Sequence, residues 1–167
     1  MSFDLYFLAL GPGETWQEAI DRLEEAAASP AGLDEQDLAR WEAVRAVVGP
    51  LLPGAEEFSS YGGRELSDDG SGMQLALSHG ESSLTIPYWY SGPEAQAMVE
   101  RLRAVAAAVE RATKLTAYDP QAEALFLGEG EQTAVATFDQ VEAGLRPGSP
   151  PMDRDRGRRK RLFRRSR

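Results

Sequence analysis

The sequence predicts an α+β protein with a mainly antiparallel sheet of about four to six strands, arranged as a meander, and with helices packed on one face. The first observation is a run of short segments over residues 56–90 in which apolar side chains recur at every second position, between glycine-rich turns. The second is the segment that follows, where Met98, Leu102, Val105 and Val109 recur at helical spacing. The strand over 82–90 and this helix are therefore expected to pack together as the core.

The chain begins with a predicted interior strand over residues 2–10, because both faces of that segment are apolar. Thr15 and Glu18 then have the spacing of a capping box, which predicts the start of a first helix. A second helix is predicted to begin near Asp34, and the two helices are expected to form an αα-hairpin. Their predicted buried positions are Trp16, Ile20, Leu23 and Ala27, then Leu38, Trp41, Val44 and Val48.

The turn before the strand over 82–90 leaves two registers open. A two-residue turn at Gly80 and Glu81 would place Leu77 opposite Leu84. A turn at His79 and Gly80 would shift the pairing by two residues and keep the same side chains on the same face. The sequence does not choose between these registers.

A proline lies near the end of this strand and another lies at the start of the helix that follows. Pro87 has no N–H to donate to a neighbouring strand, which predicts an edge strand or a bulge at that point. Pro93 favours the first turn of the long helix, and Ser91 and Glu94 before and within it have capping-box spacing.

The carboxy-terminal part of the sequence holds shorter elements. Residues 115–118 and 124–127 are predicted strands, and 133–145 is a predicted helix. These elements complete a single domain over 1–146. Residues 147–167 are expected to form a linker rich in proline and glycine, followed by a basic tail that is disordered in isolation.

Composition narrows the class of protein. A chain of 167 residues is expected to fold as one domain with its own core. The absence of cysteine excludes disulfides, thiolate metal sites and a cysteine nucleophile. The sequence contains no apolar run long enough for a transmembrane helix, and its first residues lack the pattern of a signal peptide. We therefore expect a cytoplasmic protein.

Charge is distributed unevenly along the chain. The net charge is −9, from 18 basic and 27 acidic residues. Residues 153–167, here called the basic tail, hold nine of the basic residues and two of the acidic ones, a net charge of +7. Residues 1–152 therefore carry −16. An acidic domain is joined to a basic tail.

We find no residue pattern that is specific for catalysis or cofactor binding. His79 is the single histidine and is expected to be a solvated turn residue. The run 68–72 lacks the oxygen ligands of a calcium loop at its third and fifth positions, which predicts a hairpin loop instead. The run 11–13 lacks the further glycine and the lysine of a phosphate-binding loop. The sequence therefore predicts a protein that has no enzymatic activity and binds no metal or cofactor.

The first helix carries a row of carboxylates. Glu14, Glu18, Asp21 and Glu25 recur at helical spacing, about opposite the apolar stripe, and are here called the acidic ridge. One interpretation is an ordinary solvated helix face. The other is a docking surface for a basic partner, since charge of one sign steers association and orients the complex.

Trp89 is predicted to lie on the strand face opposite Leu84 and Ile86, beside Thr85 and Pro87. If helices cover only one side of the sheet, Trp89 is exposed and has the composition of an interface hot spot. If the carboxy-terminal segment covers the other side, Trp89 belongs to a second small core. Both interpretations stay open.

The basic tail has three interpretations besides a solubilising segment. It could bind nucleic acid phosphates, lie on an anionic membrane with Phe163 inserted, or fold back on the acidic domain. Nonspecific tethering or self-association is favoured, because a domain this acidic is a poor reader of nucleic acid sequence. The candidate binding residues are Arg158, Arg159, Lys160, Arg161, Arg164 and Arg165.

Three segments carry a family resemblance: the start at 1–7, the strand over 84–90 and the segment 115–121. Together they resemble a family of small uncharacterised bacterial proteins, over residues 1–127. The resemblance implies one compact α+β domain. Tyr118, Asp119 and Gln121 match the most recognisable stretch of that family, although Asp-Pro after a strand is also a common turn.

The sequence as a whole favours a non-catalytic acidic module that binds a protein with a basic surface, of the kind an antitoxin, an immunity protein or an adaptor would be. The acidic ridge and Trp89 are the predicted contact residues. The alternative is an accessory protein that the basic tail holds to nucleic acid or to an anionic surface. An enzyme is the third possibility and would need a cleft where polar side chains converge.

Overall fold

The computed structural model describes residues 2–27, 32–79, 81–130, 134–138 and 141. These residues form three long helices and seven strands. The helices are α1 (Trp16–Ala27), α2 (Glu35–Val48) and α3 (Gly92–Thr113). A 3-10 turn over Gly49–Leu51 follows α2. The strands are β1 (Ser2–Leu8), β2 (Glu56–Ser59), β3 (Arg64–Asp68), β4 (Met73–Ser78), β5 (Glu81–Pro87), β6 (Thr116–Asp119) and β7 (Ala124–Leu125).

The strands form one open sheet in the order β2-β3-β4-β5-β1-β6-β7, and every neighbouring pair is antiparallel. The predicted α+β fold with a mainly antiparallel sheet is therefore confirmed. The meander of β2 to β5 follows the turn signals in the sequence, and β1 joins its end as an interior strand. The seventh strand, which exceeds the predicted number, is the two-residue β7.

Helices α2 and α3 cover one face of the sheet and build the main core. Leu84 and Ile86 of β5 are fully buried there with Leu102 and Val109 of α3, as predicted. From α2, the buried apolar side chains are Trp41, Val44 and Val48. The prediction is wrong for Leu38, which is 37% exposed because it lies at the margin of the buried stripe of α2.

Helix α1 packs on the opposite face. Its Ile20 and Leu23 are buried against Leu8 of β1 and Tyr118 of β6, and Trp16 stacks on Tyr118 with 4.8 Å between ring centroids. The predicted αα-hairpin is therefore wrong, and helices lie on both sides of the sheet. The reason is that β1 and β6 carry apolar side chains on both faces and need a second cover.

Two of the three helix starts follow the sequence signals. Thr15 and Glu18 form the predicted capping box, because the Thr15 N–H donates to Glu18 Oε2 at 2.8 Å and the Glu18 N–H donates to Thr15 Oγ1 at 3.3 Å. Asp34 caps α2 in the same way. At α3, Ser91 is the N-cap residue but its side chain makes no capping hydrogen bond, so the capping box predicted there is not formed.

The structure selects one of the two registers left open at the β4–β5 turn. Ser78 pairs with Glu81 and Leu75 with Leu84, so the turn begins at His79, which has a positive φ of 47°. Gly80 lies outside the described residues. The strand β5 is interior rather than an edge, and Pro87 is tolerated because it is the last residue of that strand.

The carboxy-terminal prediction is confirmed in part. Strand β6 lies within one residue of its predicted position, and 134–138 and 141 are helical as predicted. The predicted strand over 124–127 is wrong beyond Leu125, because a short helical segment over Phe126–Gly130 follows β7. Residues 142–167, which include the predicted linker and the six candidate binding residues of the basic tail, lie outside the described residues. Within the described part of the chain, no helix is both long and apolar enough to cross a membrane.

Candidate functional site

The side of the sheet opposite the main core is largely uncovered over β2 to β5. Helix α1 packs its apolar side chains on β1 and β6 only. We call the uncovered side the open face. From strand alternation and register, its side chains are Asp4, Glu56, Phe58, Glu65, Ser67, Gln74, Ala76, Ser83, Thr85 and Pro87. Phe58 is 53% exposed at its β2 edge.

Trp89 stands at one end of the open face, beside a shallow groove. The groove is lined by Ser2, Ser67, Asp69, Gly72, Gln74, Thr85, Pro87 and Trp89. Trp89 is 71% exposed. Of the two interpretations left open, the described residues select the exposed one, since none of them buries the ring.

Local backbone geometry holds the Trp89 side chain in place. The Trp89 N–H donates to the carbonyl of Pro87 at 2.9 Å, which folds the chain back at the end of β5. The ring lies over Gly72, where an added Cβ would be 3.0 Å from Trp89 Cζ3 and 2.7 Å from Pro87 Cγ. An aromatic ring that is already positioned loses little conformational entropy when it binds a partner. The Trp89 ring is exposed on one side and lies against the β3–β4 loop on the other.

The β3–β4 loop that carries Gly72 is itself held by buried polar contacts. Ser71 is fully buried and its hydroxyl donates to Asp68 Oδ2 at 2.5 Å. Arg101 of α3 lies 3.4 Å from the same oxygen, and the Tyr90 hydroxyl donates to the Ser71 carbonyl at 2.9 Å. The run 68–72 is thus a hairpin loop, as predicted, and it forms a fixed wall of the groove.

The open face is acidic. Asp4, Glu56 and Glu65 lie on it, and Asp69 lines the groove at its end. Among the described residues of β1 to β5, no lysine or arginine points to this side. Arg22 of α1 reaches this side at Glu81, but it is already paired with Glu81 and Glu14. The remaining carboxylates next to an exposed aromatic favour a basic ligand.

The acidic ridge on α1 is less available than its sequence suggests. Glu14 accepts hydrogen bonds from Arg22 at 3.0 Å and from the Gly11 N–H at 2.7 Å. The hydrogen bond from Arg22 lowers the pKa of Glu14 most, followed by that from Gly11. The hydrogen bond from the Thr15 N–H lowers the pKa of Glu18 most, followed by that from the Thr15 hydroxyl. The Glu18 carboxylate is thus engaged in the capping box of α1. Two of the four predicted carboxylates therefore already have internal partners.

The other two carboxylates of the ridge face solvent. Asp21 is exposed and accepts a hydrogen bond from the Gln17 amide at 2.6 Å. Glu25 is exposed as well. These side chains lie on the helix that packs against the β1 and β6 part of the sheet, so the ridge and the Trp89 groove belong to different parts of the surface.

Arg22 also ties α1 to the sheet. Its guanidinium donates to Glu81 of β5, which is 6% exposed, and to the Ala9 carbonyl at 3.1 Å. Burial raises the pKa of Glu81, and the hydrogen bond from Arg22 opposes that rise. The arginine thus compensates a buried carboxylate, which is a structural role.

The three residues that match the resembled family lie together at the end of β6. Asp119 is 1% exposed, and its Oδ1 accepts from the N–H groups of Gln121 at 2.8 Å and Ala122 at 3.1 Å. With its amide nitrogen turned toward Asp119, Gln121 also donates to Oδ1 at 2.7 Å. Tyr118 points to the other face, against Trp16. The buried Asp119 side chain therefore caps the turn over 119–122.

Asp119 is nevertheless an unusual carboxylate. Its Oδ2 is buried and has no hydrogen-bond partner among the described residues. Burial raises the pKa of Asp119, against the opposing effect of the N–H groups of Ala122 and Gln121. Burial also raises the pKa of nearby Tyr88 to about 12, with the charges of Asp4 and Asp119 adding to the effect.

The raised pKa of Asp119 predicts a pH dependence of stability. Between the unfolded value, about 4, and the higher folded value, the native state keeps a proton that the unfolded state has lost. The free energy of unfolding therefore falls as pH rises through that window. In Asp119→Asn, which keeps the Oδ1 acceptor, we expect a shallower fall, measured by urea unfolding from about pH 4 to about pH 7.

The control for this measurement is Asp69→Asn, because Asp69 is an exposed carboxylate in the β3–β4 loop. It should leave the pH dependence close to that of the wild type. Equal slopes for the wild type and Asp119→Asn would contradict the assignment of the effect to Asp119.

Within the described residues, no group of three or more histidine, cysteine, aspartate or glutamate side chains could hold a metal ion. Comparisons with protein-family models, with curated proteins and with solved structures return no match to this chain. The fold and the site define an α+β protein with an open antiparallel sheet, whose exposed face combines a fixed tryptophan with carboxylates.

Sequence reasoning found Trp89 but not the surface around it. Asp4, Glu65 and Asp69 lie in three separate segments, and only the sheet register brings them to one side. The available signal was strand alternation, which places polar side chains opposite the apolar ones on β3 and β4. The strand order was needed to add Asp4 to that set.

Proposed function

We propose that this protein is a non-catalytic binding module that docks a protein partner with a basic surface on the open face of its sheet. Trp89 is the anchor, and Asp4, Glu56, Glu65 and Asp69 supply complementary charge. The observation that supports this proposal most is the 71% exposure of a tryptophan whose ring lies over Gly72. An antitoxin, an immunity protein or an adaptor in the cytoplasm would work in this way.

The arrangement fits the energetics of interfaces. Tryptophan is enriched among the few residues that carry most of the binding free energy, and surrounding polar groups exclude water and set orientation. Here the groove supplies the hydroxyl groups of Ser67 and Thr85 and the amide of Gln74 next to the ring. The acidic ridge has a secondary part in this proposal, since Asp21 and Glu25 add negative charge that attracts the partner from a distance.

The test begins with the full chain purified from its native cells, so that a co-purifying protein can be identified by mass spectrometry and then produced separately. Affinity is measured by isothermal titration calorimetry. We expect Trp89→Ala to weaken binding by at least about thirtyfold, which corresponds to about 2 kcal/mol. Thermal unfolding of the variant should match the wild type, because the lost side chain is mostly exposed.

The matched control is the double variant Asp21→Asn and Glu25→Gln on the acidic ridge. Glu18 is left in place, because changing it would remove the cap of α1 and confound binding with helix stability. The control should change affinity by less than about threefold. A partner that responds to the ridge variant and ignores Trp89→Ala would refute the assignment to the open face.

The charge of the basic tail supports a second candidate function, which is retention on nucleic acid or on an anionic surface. The tail carries a net charge of +7. If this function operates, binding of the full chain to duplex DNA should weaken steeply between about 50 mM and 200 mM salt. Replacing the six tail residues Arg158, Arg159, Lys160, Arg161, Arg164 and Arg165 by glutamine should abolish it.

A further inference from the structure

We propose that the open face also binds the chain's own basic tail, residues 153–167, within the same molecule, so that the tail competes with basic partners for the Trp89 groove. The proposal rests on the proposed function in one respect, which is that both place a basic ligand on the same face. It adds a built-in competitor that the partner must displace.

The first argument is charge complementarity. The tail holds nine basic and two acidic residues, and the rest of the chain carries −16. The open face presents Asp4, Glu56, Glu65 and Asp69, and the described strand residues on that side include no basic side chain to offset them. By contrast, Glu14, in the loop before α1, is already paired with Arg22, and Glu18 caps the helix. The open face is therefore the more favourable acidic surface for a basic segment.

The second argument is the position at which the chain leaves the described structure. The Phe138 ring lies 5.1 Å from that of Tyr88 and 5.6 Å from that of Phe3, measured between centroids. Tyr88 directly precedes Trp89 in the chain. The last helical segment is thus anchored at the end of the sheet where the groove lies, on the main-core side, so the chain has to pass around that end to reach the groove.

The length of the intervening chain is sufficient. Twenty residues separate Phe138 from Arg158, and a segment of that length spans at most about 70 Å. Seven strands spaced by about 4.8 Å extend over about 29 Å, so the tail can reach any part of the open face. A ligand tethered at such a distance has an effective concentration of the order of millimolar. A tail with a dissociation constant in that range would therefore still occupy the open face.

The third argument is the chemistry of the groove. An arginine guanidinium stacks favourably on an indole ring and pairs with a carboxylate. Trp89 and Asp69 line the same groove and offer both groups. In the tail, Leu162 and Phe163 lie between two basic runs, so an apolar pair can contact the ring while flanking arginines meet the acidic strands.

The test observes the indole N–H resonance of Trp89 by NMR in the full chain. This resonance is assigned by its loss in Trp89→Phe. The comparison is with a tail-neutralised full chain, in which Arg158, Arg159, Lys160, Arg161, Arg164 and Arg165 are replaced by glutamine. We expect the Trp89 resonance to differ between the two proteins at low salt. Added salt should move the wild-type resonance toward that of the tail-neutralised chain.

Titration of the tail-neutralised chain with a synthetic peptide of residues 153–167 should then restore the wild-type position of the Trp89 resonance. The indole resonances of Trp41, which is buried, and Trp16, which stacks on Tyr118, serve as internal references and should stay in place. A triple variant of the tail-neutralised chain should bind the peptide at least about tenfold more weakly. Its substitutions are Asp4→Asn, Glu65→Gln and Asp69→Asn. Asp21→Asn with Glu25→Gln should not weaken peptide binding.

Three results would overturn the inference. A Trp89 resonance that is identical in the wild-type and tail-neutralised chains at low salt shows an unoccupied groove. If the peptide nevertheless binds at Trp89, only the intramolecular contact is wrong, and the open face remains a site for basic ligands. If the wild-type shift depends on protein concentration, the tail contacts a second copy of the chain. If only the Asp21→Asn and Glu25→Gln variant weakens peptide binding, the tail binds on α1.

Discussion

Phe3→Ala is expected to lower the free energy of unfolding by about 3–5 kcal/mol, the range for removing a fully buried phenylalanine. Phe3 is 0% exposed at the start of β1. Its ring contacts Tyr88, Phe126 and Phe138, with centroid distances of 6.4, 6.2 and 5.6 Å. One side chain therefore joins the ends of β1 and β5 to the helical segment over 134–138. Urea unfolding followed by circular dichroism measures the change.

The matched control for Phe3→Ala is Phe58→Ala, which removes the same ring from an exposed position on β2. That change should cost less than about 0.5 kcal/mol, because a surface side chain leaves no cavity behind. Equal losses for the two variants would contradict the assignment of the main core to the α2 and α3 side of the sheet. In Phe3→Ala, the near-ultraviolet signal of Tyr88 should also weaken before global unfolding, since its packing partner is gone.

Gly72→Ala is expected to destabilise the protein by about 2–4 kcal/mol, from the cost of a left-handed backbone and from overpacking together. Gly72 has a φ of +66°, and an alanine Cβ would be 2.7 Å from Pro87 Cγ and 2.9 Å from Pro87 Cδ. Both atoms belong to a rigid ring at the end of β5. We therefore expect Trp89, which leans on the same glycine, to lose its fixed position.

Thermal unfolding and the NMR resonance of the Trp89 indole N–H test the Gly72→Ala prediction. Gly70→Ala is the control in the same loop, because its Cβ would meet only Asp68 Oδ1 at 3.8 Å and its backbone is not left-handed. That variant should unfold within about 0.5 kcal/mol of the wild type. A Gly72→Ala protein with wild-type stability and an unchanged Trp89 resonance would show that the ring is not held by this contact.

These variants separate folding from binding at the open face. Trp89→Ala should reduce affinity and leave stability intact, whereas Gly72→Ala should reduce both, because it displaces the anchor by disturbing its support. The difference follows from exposure, since Trp89 is 71% exposed while the loop below it is held by the buried Ser71. Because only Gly72→Ala is expected to be destabilised, the binding data for the two variants should be compared at equal fractions of folded protein.

The candidate site shifted between sequence and structure for an electrostatic reason. Helical spacing places Glu18, Asp21 and Glu25 on α1, as predicted, whereas Glu14 lies in the loop before the helix. Spacing does not reveal that Arg22 folds over Glu14 and Glu81, or that Glu18 is engaged by Thr15. Carboxylates that are already ion-paired or used as a helix cap attract a further basic ligand less, so the acids of the open face became the better candidates.

Local chemistry by itself determined most elements of this protein. Alternation and turn residues specified β2 to β5, helical periodicity specified α3, and Thr15 with Glu18 specified the start of α1, because each of these depends on neighbours within a few residues. The sequence also determined that an acidic domain carries a basic tail, which is a property of composition.

Only the tertiary structure decided on which side of the sheet α1 lies, which register joins β4 to β5, and which acids share a face with Trp89. Each of these depends on contacts between segments far apart in the chain. Either hairpin register preserves the buried pattern of Leu75, Leu77 and Leu84, and an amphipathic helix can cover either side of a strand that is apolar on both. Packing of the whole sheet selects among such locally equivalent choices, and that selection is what leaves the open face uncovered.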